Sequence, residues 1–137
     1  MTDLITTPSA VADQLDNFER VGELQFQSRS EDITNMLERM DNSDAEVSEE
    51  AYEELYNYGL SLDYVPPFTF DGQRAGYWRW QLSWGGPSDE FRIYVDDDTN
   101  IREILYVYQD WYQHTEQSVW HRDDILQAVS MIMEGVL

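Results

Sequence analysis

The stretch YWRWQLSWGG, residues 77–86, predicts a β-strand because its side chains follow a two-residue period. Trp78, Trp80, Leu82 and Trp84 occupy every second position, as residues on one face of a β-strand do, and two glycines then end the run. One face of a small sheet must pack on another layer, so we expect these side chains to form the wall of the core. An exposed docking platform for a partner or ligand is the alternative. A nucleic-acid stacking surface would also need a basic groove.

Two further runs repeat the strand period. Phe91, Ile93 and Val95 alternate with other residues after the turn GGPSD, and the run IREILYVYQDW begins at Ile101 after the turn DDDTN. Short alternating runs joined by tight turns form antiparallel hairpins. Residues 77–112 are therefore predicted to form a three-stranded antiparallel β-meander.

The residues before the sheet have helical signals. Thr7 is predicted to cap a first helix that Gly22 ends. Ser30 is predicted to cap a second helix, whose apolar face at helical spacing comprises Ile33, Met36, Leu37 and Met40. A third helix is predicted to begin at the capping-box residue Ser43 and to end at Gly59.

The remaining segments complete the predicted organisation. Residues 61–76 contain two prolines and two glycines, which indicates a connection with at most a short strand. A C-terminal helix is predicted over residues 118–135, because Ile125, Val129 and Ile132 keep helical spacing. The sequence thus predicts one α+β domain over residues 1–137, with an acidic helical segment at 1–60 and the sheet packed against the helices.

The charge of the chain argues against whole classes of partner. Twenty-eight Asp and Glu residues face 8 basic residues, and the formal net charge is -20. Nucleic acids and anionic membranes are bound through Lys and Arg, so we expect no direct nucleic-acid binding and no membrane. A basic protein partner would be attracted. The chain has no cysteine and no secretory signal pattern, which predicts a cytoplasmic protein.

The third predicted helix carries acids along one face, and this feature is called the acidic stripe: Glu46, Glu49, Glu50, Glu53 and Glu54. Three pairs in it are like charges four residues apart, each destabilising by about 0.2 to 0.5 kcal/mol. Regularly spaced carboxylates can present negative charge as a nucleic-acid backbone does, and aromatic side chains beside them can add contact area. The predicted partner-binding residues are Glu46, Glu49, Glu50, Glu53, Glu54, Tyr52, Tyr56, Asp13, Asp16 and Glu19.

Adaptation to high salt, or simple solubility, is the alternative explanation for the acids. Residues 1–65 hold sixteen acids and three Arg, a net charge of -13, and residues 66–137 hold twelve acids and five Arg, a net charge of -7. Salt adaptation would be expected to spread charge more evenly. The asymmetry favours a directed acidic surface.

The arginines of the sheet region form a second unusual group. Arg79, Arg92 and Arg102 fall on the strands, and by alternation we expect them on the face opposite the tryptophans. Pairing with acids across the strands is the structural interpretation. Contact with an anion or a partner is the functional alternative.

Motifs for catalysis or metal binding are missing from the sequence. Asp96, Asp98 and Asn100 match the first ligand positions of an EF-hand, but Ile101 and Val107 stand where Gly and the bidentate Glu belong. Phosphate-binding loops and nucleophile motifs do not occur. We therefore expect a tight turn at residues 96–100, no catalytic residue, no cofactor and no metal.

The run QLSWGGPSDEFRIYV (81–95), followed by YQDW (108–111), resembles a pattern in small acidic proteins carried by plasmids and phages. The resemblance covers residues 77–112 and implies a mobile-element accessory protein, a setting that includes anti-restriction and anti-CRISPR inhibitors. With the acidic stripe, it predicts a non-enzymatic nucleic-acid mimic in the host cell. Its partner would be a basic host protein or ribonucleoprotein, such as a nuclease or CRISPR effector. An immunity protein or antitoxin against a basic toxin requires the same electrostatics and is the alternative.

Overall fold

The computed structural model describes the backbone of residues 8–137 and the side chains of residues 17–137. Three helices and five strands follow in the order α1 (Pro8–Met40), α2 (Ala45–Tyr56), β1 (Ser61–Val65), β2 (Tyr77–Ser83), β3 (Pro87–Val95), β4 (Ile101–Asp110), β5 (Gln113–Ser118) and α3 (Asp123–Met133). The strands form one antiparallel sheet in chain order, and the helices share a core with one of its faces. The α+β class is confirmed. The predicted Thr7 cap lies outside the described residues.

The sheet has five strands where the sequence analysis predicted three. The predicted meander corresponds to β2, β3 and β4, and each edge is extended by one further antiparallel strand. The short strand allowed within residues 61–76 is β1. The other edge, β5, was missed because it is polar along its whole length and has no fully buried residue. A polar edge strand lacks the apolar alternation on which strand prediction depends.

A single helix, α1, replaces the first two predicted helices. Gly22 lies inside it and faces the sheet, where an added Cβ would lie 2.8 Å from Thr115 Oγ1. Ser30 is also internal, and its hydroxyl donates a hydrogen bond of 2.7 Å to Asp124 in α3. The predicted helix ends at Gly22 and Ser30 were therefore wrong. The small residue permits close packing, and the polar one ties two helices together.

The ends of α2 differ from the prediction by a few residues. Its N-cap is Asp44 rather than Ser43, since the Asp44 carboxylate accepts a hydrogen bond of 2.9 Å from the Glu46 backbone N–H. The helix ends before Gly59, which does not adopt a left-handed conformation. Gly59 instead packs against the indole of Trp80, with no room between them for a Cβ.

The alternating tryptophans of β2 and the turn after it differ in how deeply they are buried. Trp80 is 3% exposed and packs in the core, whereas Trp78 is half-buried and Trp84 is 76% exposed. A register shift between Gln81 and Ser83 interrupts the alternation just before Trp84. The expectation that Trp84 forms part of the core was therefore wrong. Other core side chains include Phe26, Ile33, Met36, Leu55, Phe91, Ile93, Ile104, Tyr106, Ile125 and Val129.

Candidate partner-binding surface

The acidic stripe lies on the solvent side of α2. Ala51 and Leu55 are fully buried against the core, and the helical period then places the stripe on the opposite side of the helix. All five of its glutamates are exposed. The sequence pattern causes this orientation. The helix carries an apolar row and an acidic row on opposite sides, and the apolar row is the one that packs on the core.

Most of the charge on the stripe is not neutralised by the protein's own arginines. Arg39 of α1 forms a salt bridge of 2.7 Å with Glu54. Within residues 17–137, the other four glutamates of the stripe have no salt bridge. The remaining arginine salt bridges hold acids elsewhere, in the pairs Arg29–Asp89, Arg92–Glu90, Arg92–Glu116, Arg102–Asp96 and Arg122–Asp124.

Aromatic and apolar side chains lie next to the stripe. Tyr52 and Tyr56 are both exposed and stand one helical turn apart. Tyr56 also borders a groove of about 360 Å³ between the end of α2 and the start of β1. Leu60, Leu62 and Ile132 line this groove. The acids therefore adjoin an apolar surface on which a partner could gain contact area.

The predicted acids of the first helix belong to a different surface. Glu19 is exposed, and with Glu23 and Glu116 it borders a groove of about 390 Å³ between α1 and β5. Twenty residues of α1, about 30 Å of helix, separate Glu19 from Arg39, which contacts the stripe at Glu54. The side chains of Asp13 and Asp16 lie outside the described residues. The structure thus brings together the seven predicted residues on α2 and leaves Glu19 apart from them.

A buried polar cluster, which the sequence analysis missed, lies between α1 and the sheet. Asp89 is 1% exposed and accepts hydrogen bonds from Arg29, Ser83 and Tyr106. Burial opposes ionisation of Asp89, but these hydrogen bonds outweigh it and lower its pKa below the ordinary value. Burial and the bond to Asp89 raise the pKa of Tyr106. The sequence does contain a signal for this cluster. Asp89 stands at the same alternate positions of β3 as the buried Phe91 and Ile93, so its carboxylate faces inward and requires a cation.

The aspartates of residues 96–98 form a hairpin turn. Asp96 accepts hydrogen bonds from the backbone N–H groups of Asp98 and Asn100, at 3.0 and 2.9 Å, and forms a salt bridge with Arg102. The predicted tight turn is confirmed. Arg102 is engaged at this turn and does not line the groove that contains Arg79 and Arg92.

Metal-binding clusters and membrane-spanning helices are both absent from the part of the chain that the structure describes. Between residues 17 and 137, His, Asp and Glu side chains do not gather in groups of three that could hold a metal ion. The helices of residues 8–137 contain no stretch both long and apolar enough to cross a bilayer.

Comparisons with protein-family models, with curated proteins and with solved structures gave no match.

Proposed function

We propose that this protein is a non-enzymatic inhibitor, encoded by a mobile element, that mimics nucleic acid. It would block the basic nucleic-acid-binding surface of a host defence nucleoprotein, in the manner of anti-CRISPR and anti-restriction proteins. The acidic stripe is the observation that carries this proposal. Its five glutamates are exposed on one helix face, and within residues 17–137 only Glu54 has a salt bridge.

The charge density of the stripe is close to that of a nucleic-acid strand. Its first and last members, Glu46 and Glu54, are eight residues apart, which corresponds to about 12 Å of helix. Five carboxylates over that length give one negative charge per about 3 Å, and one strand of DNA carries one charge per about 3.4 Å. A basic channel that binds a phosphate backbone therefore meets a similar row of anions.

The stripe also has an energetic cost that nearby cations do little to offset. Its three like-charge pairs together destabilise α2 by about 1 kcal/mol at low salt. Interleaved cations would remove this cost, yet Arg39 is the sole arginine that the described residues supply to it. A cationic partner would supply the missing charge, and the bound state would then relieve the repulsion.

Capture of a partner from host lysate tests the proposal. The tagged protein is incubated with nuclease-treated lysate at low salt, and the captured proteins are eluted with added salt. The expected partner is a basic nucleic-acid-binding protein that dissociates as salt rises. The triple variant Glu49→Lys, Glu50→Lys, Glu53→Lys should lose it.

A matched control keeps the charge change but moves it away from the stripe. The triple variant Asp97→Lys, Asp98→Lys, Asp110→Lys alters the net charge by the same amount at the hairpin turns of the sheet, and it should retain the partner. Equal capture by both triple variants would contradict a role for the stripe. Capture of one small cationic toxin, with no nucleic-acid-binding protein, would contradict the proposal and favour the antitoxin alternative.

A further inference from the structure

A groove with a cavity volume of about 680 Å³ lies on the sheet face opposite the described helices. Its floor is formed by β2 and β3, and one wall is the loop between β1 and β2. The volume lies within the range of sites that bind small molecules. Its lining includes Tyr77, Arg79, Arg92, Phe70 and Trp84.

Arg79 presents a positive charge in this groove without an internal counterion. Its Nε is buried and has no hydrogen-bond partner, and its guanidinium forms no salt bridge with any residue from 17 to 137. Asp63 stands directly opposite Arg79 on β1, yet the two side chains form no salt bridge with each other. The neighbouring arginine on β3, Arg92, is by contrast neutralised by Glu90 at 2.8 Å and Glu116 at 3.7 Å. A partly buried cation of this kind favours an anion.

Tyr77 adds a second unpartnered donor beneath the groove. Its side chain is 2% exposed, and its hydroxyl has no hydrogen-bond partner among the described residues. A phenol is protonated at neutral pH, so this hydroxyl can donate a hydrogen bond, and burial raises its pKa further. Two unsatisfied buried donors on the floor of one groove are unusual, because buried polar groups are nearly always paired.

Planar apolar side chains stand at the rim. Trp84, which the sequence analysis placed in the core, is 76% exposed, and Phe70 on the loop is also exposed. Both line the groove. Exposed aromatic side chains offer a face on which a flat ring can stack.

We propose that this groove binds a small organic anion that carries a planar ring, with the oxyanion on Arg79 and the ring against Trp84. The negative net charge of the protein repels an approaching anion, but physiological salt screens this repulsion at distances beyond about 8 Å. The contact with the partly buried Arg79 is screened much less. This site lies across the sheet from α2, so it does not depend on the acidic stripe.

Calorimetric titration with defined probes tests the proposal. Adenosine monophosphate supplies a ring with a phosphate, and indole-3-acetate supplies a ring with a carboxylate, so together they separate the two sources of oxyanion. At least one should bind one-to-one with a Kd below about 1 mM. Adenosine and inorganic phosphate, which each lack one feature, should bind about tenfold more weakly or worse than the ring anion that binds.

Variants then assign the binding to the groove. Arg79→Gln and Trp84→Ala should each weaken the bound probe by about tenfold. Arg102→Gln removes the same charge at the hairpin turn and should leave the affinity unchanged. Asp63→Asn removes the carboxylate that stands opposite Arg79 on β1 and should not weaken binding. Failure of both ring anions to saturate the protein would overturn the proposal, as would binding that Arg79→Gln leaves intact.

Discussion

Arg29 of α1 holds Asp89 of β3 through a two-point salt bridge, with 2.8 Å between Nε and Oδ2 and 2.9 Å between Nη2 and Oδ1. Asp89 also accepts a hydrogen bond of 2.6 Å from Tyr106 on the neighbouring strand β4. The pair joins residues sixty positions apart in the sequence, one on the long helix and one on the sheet. It therefore ties the long helix to the sheet.

Breaking this pair should be costly. Asp89→Ala leaves a partly buried guanidinium without its anion, and we expect a loss of about 3 to 5 kcal/mol in the free energy of unfolding. Urea denaturation measures it. Arg29→Ala should cost a similar amount, and the double variant should lose clearly less than the sum, because each single change leaves an unpaired charge. Additive losses would show that the two groups do not interact.

The same pair should make the protein sensitive to acid. The pKa of Asp89 is lowered in the folded state, so its contribution is fully present above the unfolded pKa, near 3.9, and is lost as pH falls through the folded pKa. Asp89→Asn cannot ionise and should lose less stability than the wild type between neutral and strongly acidic pH. Urea midpoints measured across that range test this. Parallel pH profiles for the two proteins would contradict the assignment.

Relief of repulsion within the acidic stripe should stabilise the protein while weakening partner binding. Glu50→Gln removes two like-charge pairs, with Glu46 and with Glu54, and we expect a gain of about 0.4 to 1 kcal/mol at low salt. Glu53→Gln removes one pair and should gain about half as much. Thermal unfolding at low and high salt measures both, and the gains should vanish when salt screens the charges. A gain that persists at high salt would point to another cause.

Gly22 should be required by packing despite its helical setting. Gly22→Ala gains helix propensity, but its Cβ would meet Thr115 Oγ1 at 2.8 Å, so we expect a net loss of about 1 to 3 kcal/mol. In a Thr115→Ala background the clash is gone, and the same substitution should stabilise by about 1 kcal/mol. The free energy of unfolding, measured for the wild type, the two single variants and the double variant, tests this expectation. A stabilising Gly22→Ala in the wild-type background would contradict the close contact.

The three central strands of the sheet and the orientation of α2 followed from side-chain periods. Phe91 and Ile93 alternate because one face of β3 is buried, and the exposure of the acidic stripe follows from the burial of Ala51 and Leu55. Such patterns are local and can be read along the chain. The boundary between the first two predicted helices was wrong because Gly22 and Ser30 satisfy tertiary contacts, with β5 and α3, that no local pattern reveals.

The groove itself was not predicted from the sequence; only the shared face of Arg79 and Arg92 was. The alternation of β2 and β3 placed Arg79 and Arg92 on one face, as the structure has them. Arg92 is neutralised by carboxylates and Arg79 is not, and the sequence could not show this contrast. One of the two carboxylates that reach Arg92, Glu116, lies on the edge strand β5, which the sequence did not reveal. The exposure of Trp84 depends on a register shift that alternation alone cannot show.

Displacement of nucleic acid from the partner is the sharpest test of the proposed mimicry. A labelled nucleic acid is bound to the captured partner, and its fluorescence anisotropy is followed as the acidic protein is added. If the acidic stripe mimics nucleic acid, the wild-type protein displaces the nucleic acid and the Glu49→Lys, Glu50→Lys, Glu53→Lys variant does not. A stable complex in which the partner still holds its nucleic acid, or equal displacement by the variant, would contradict it.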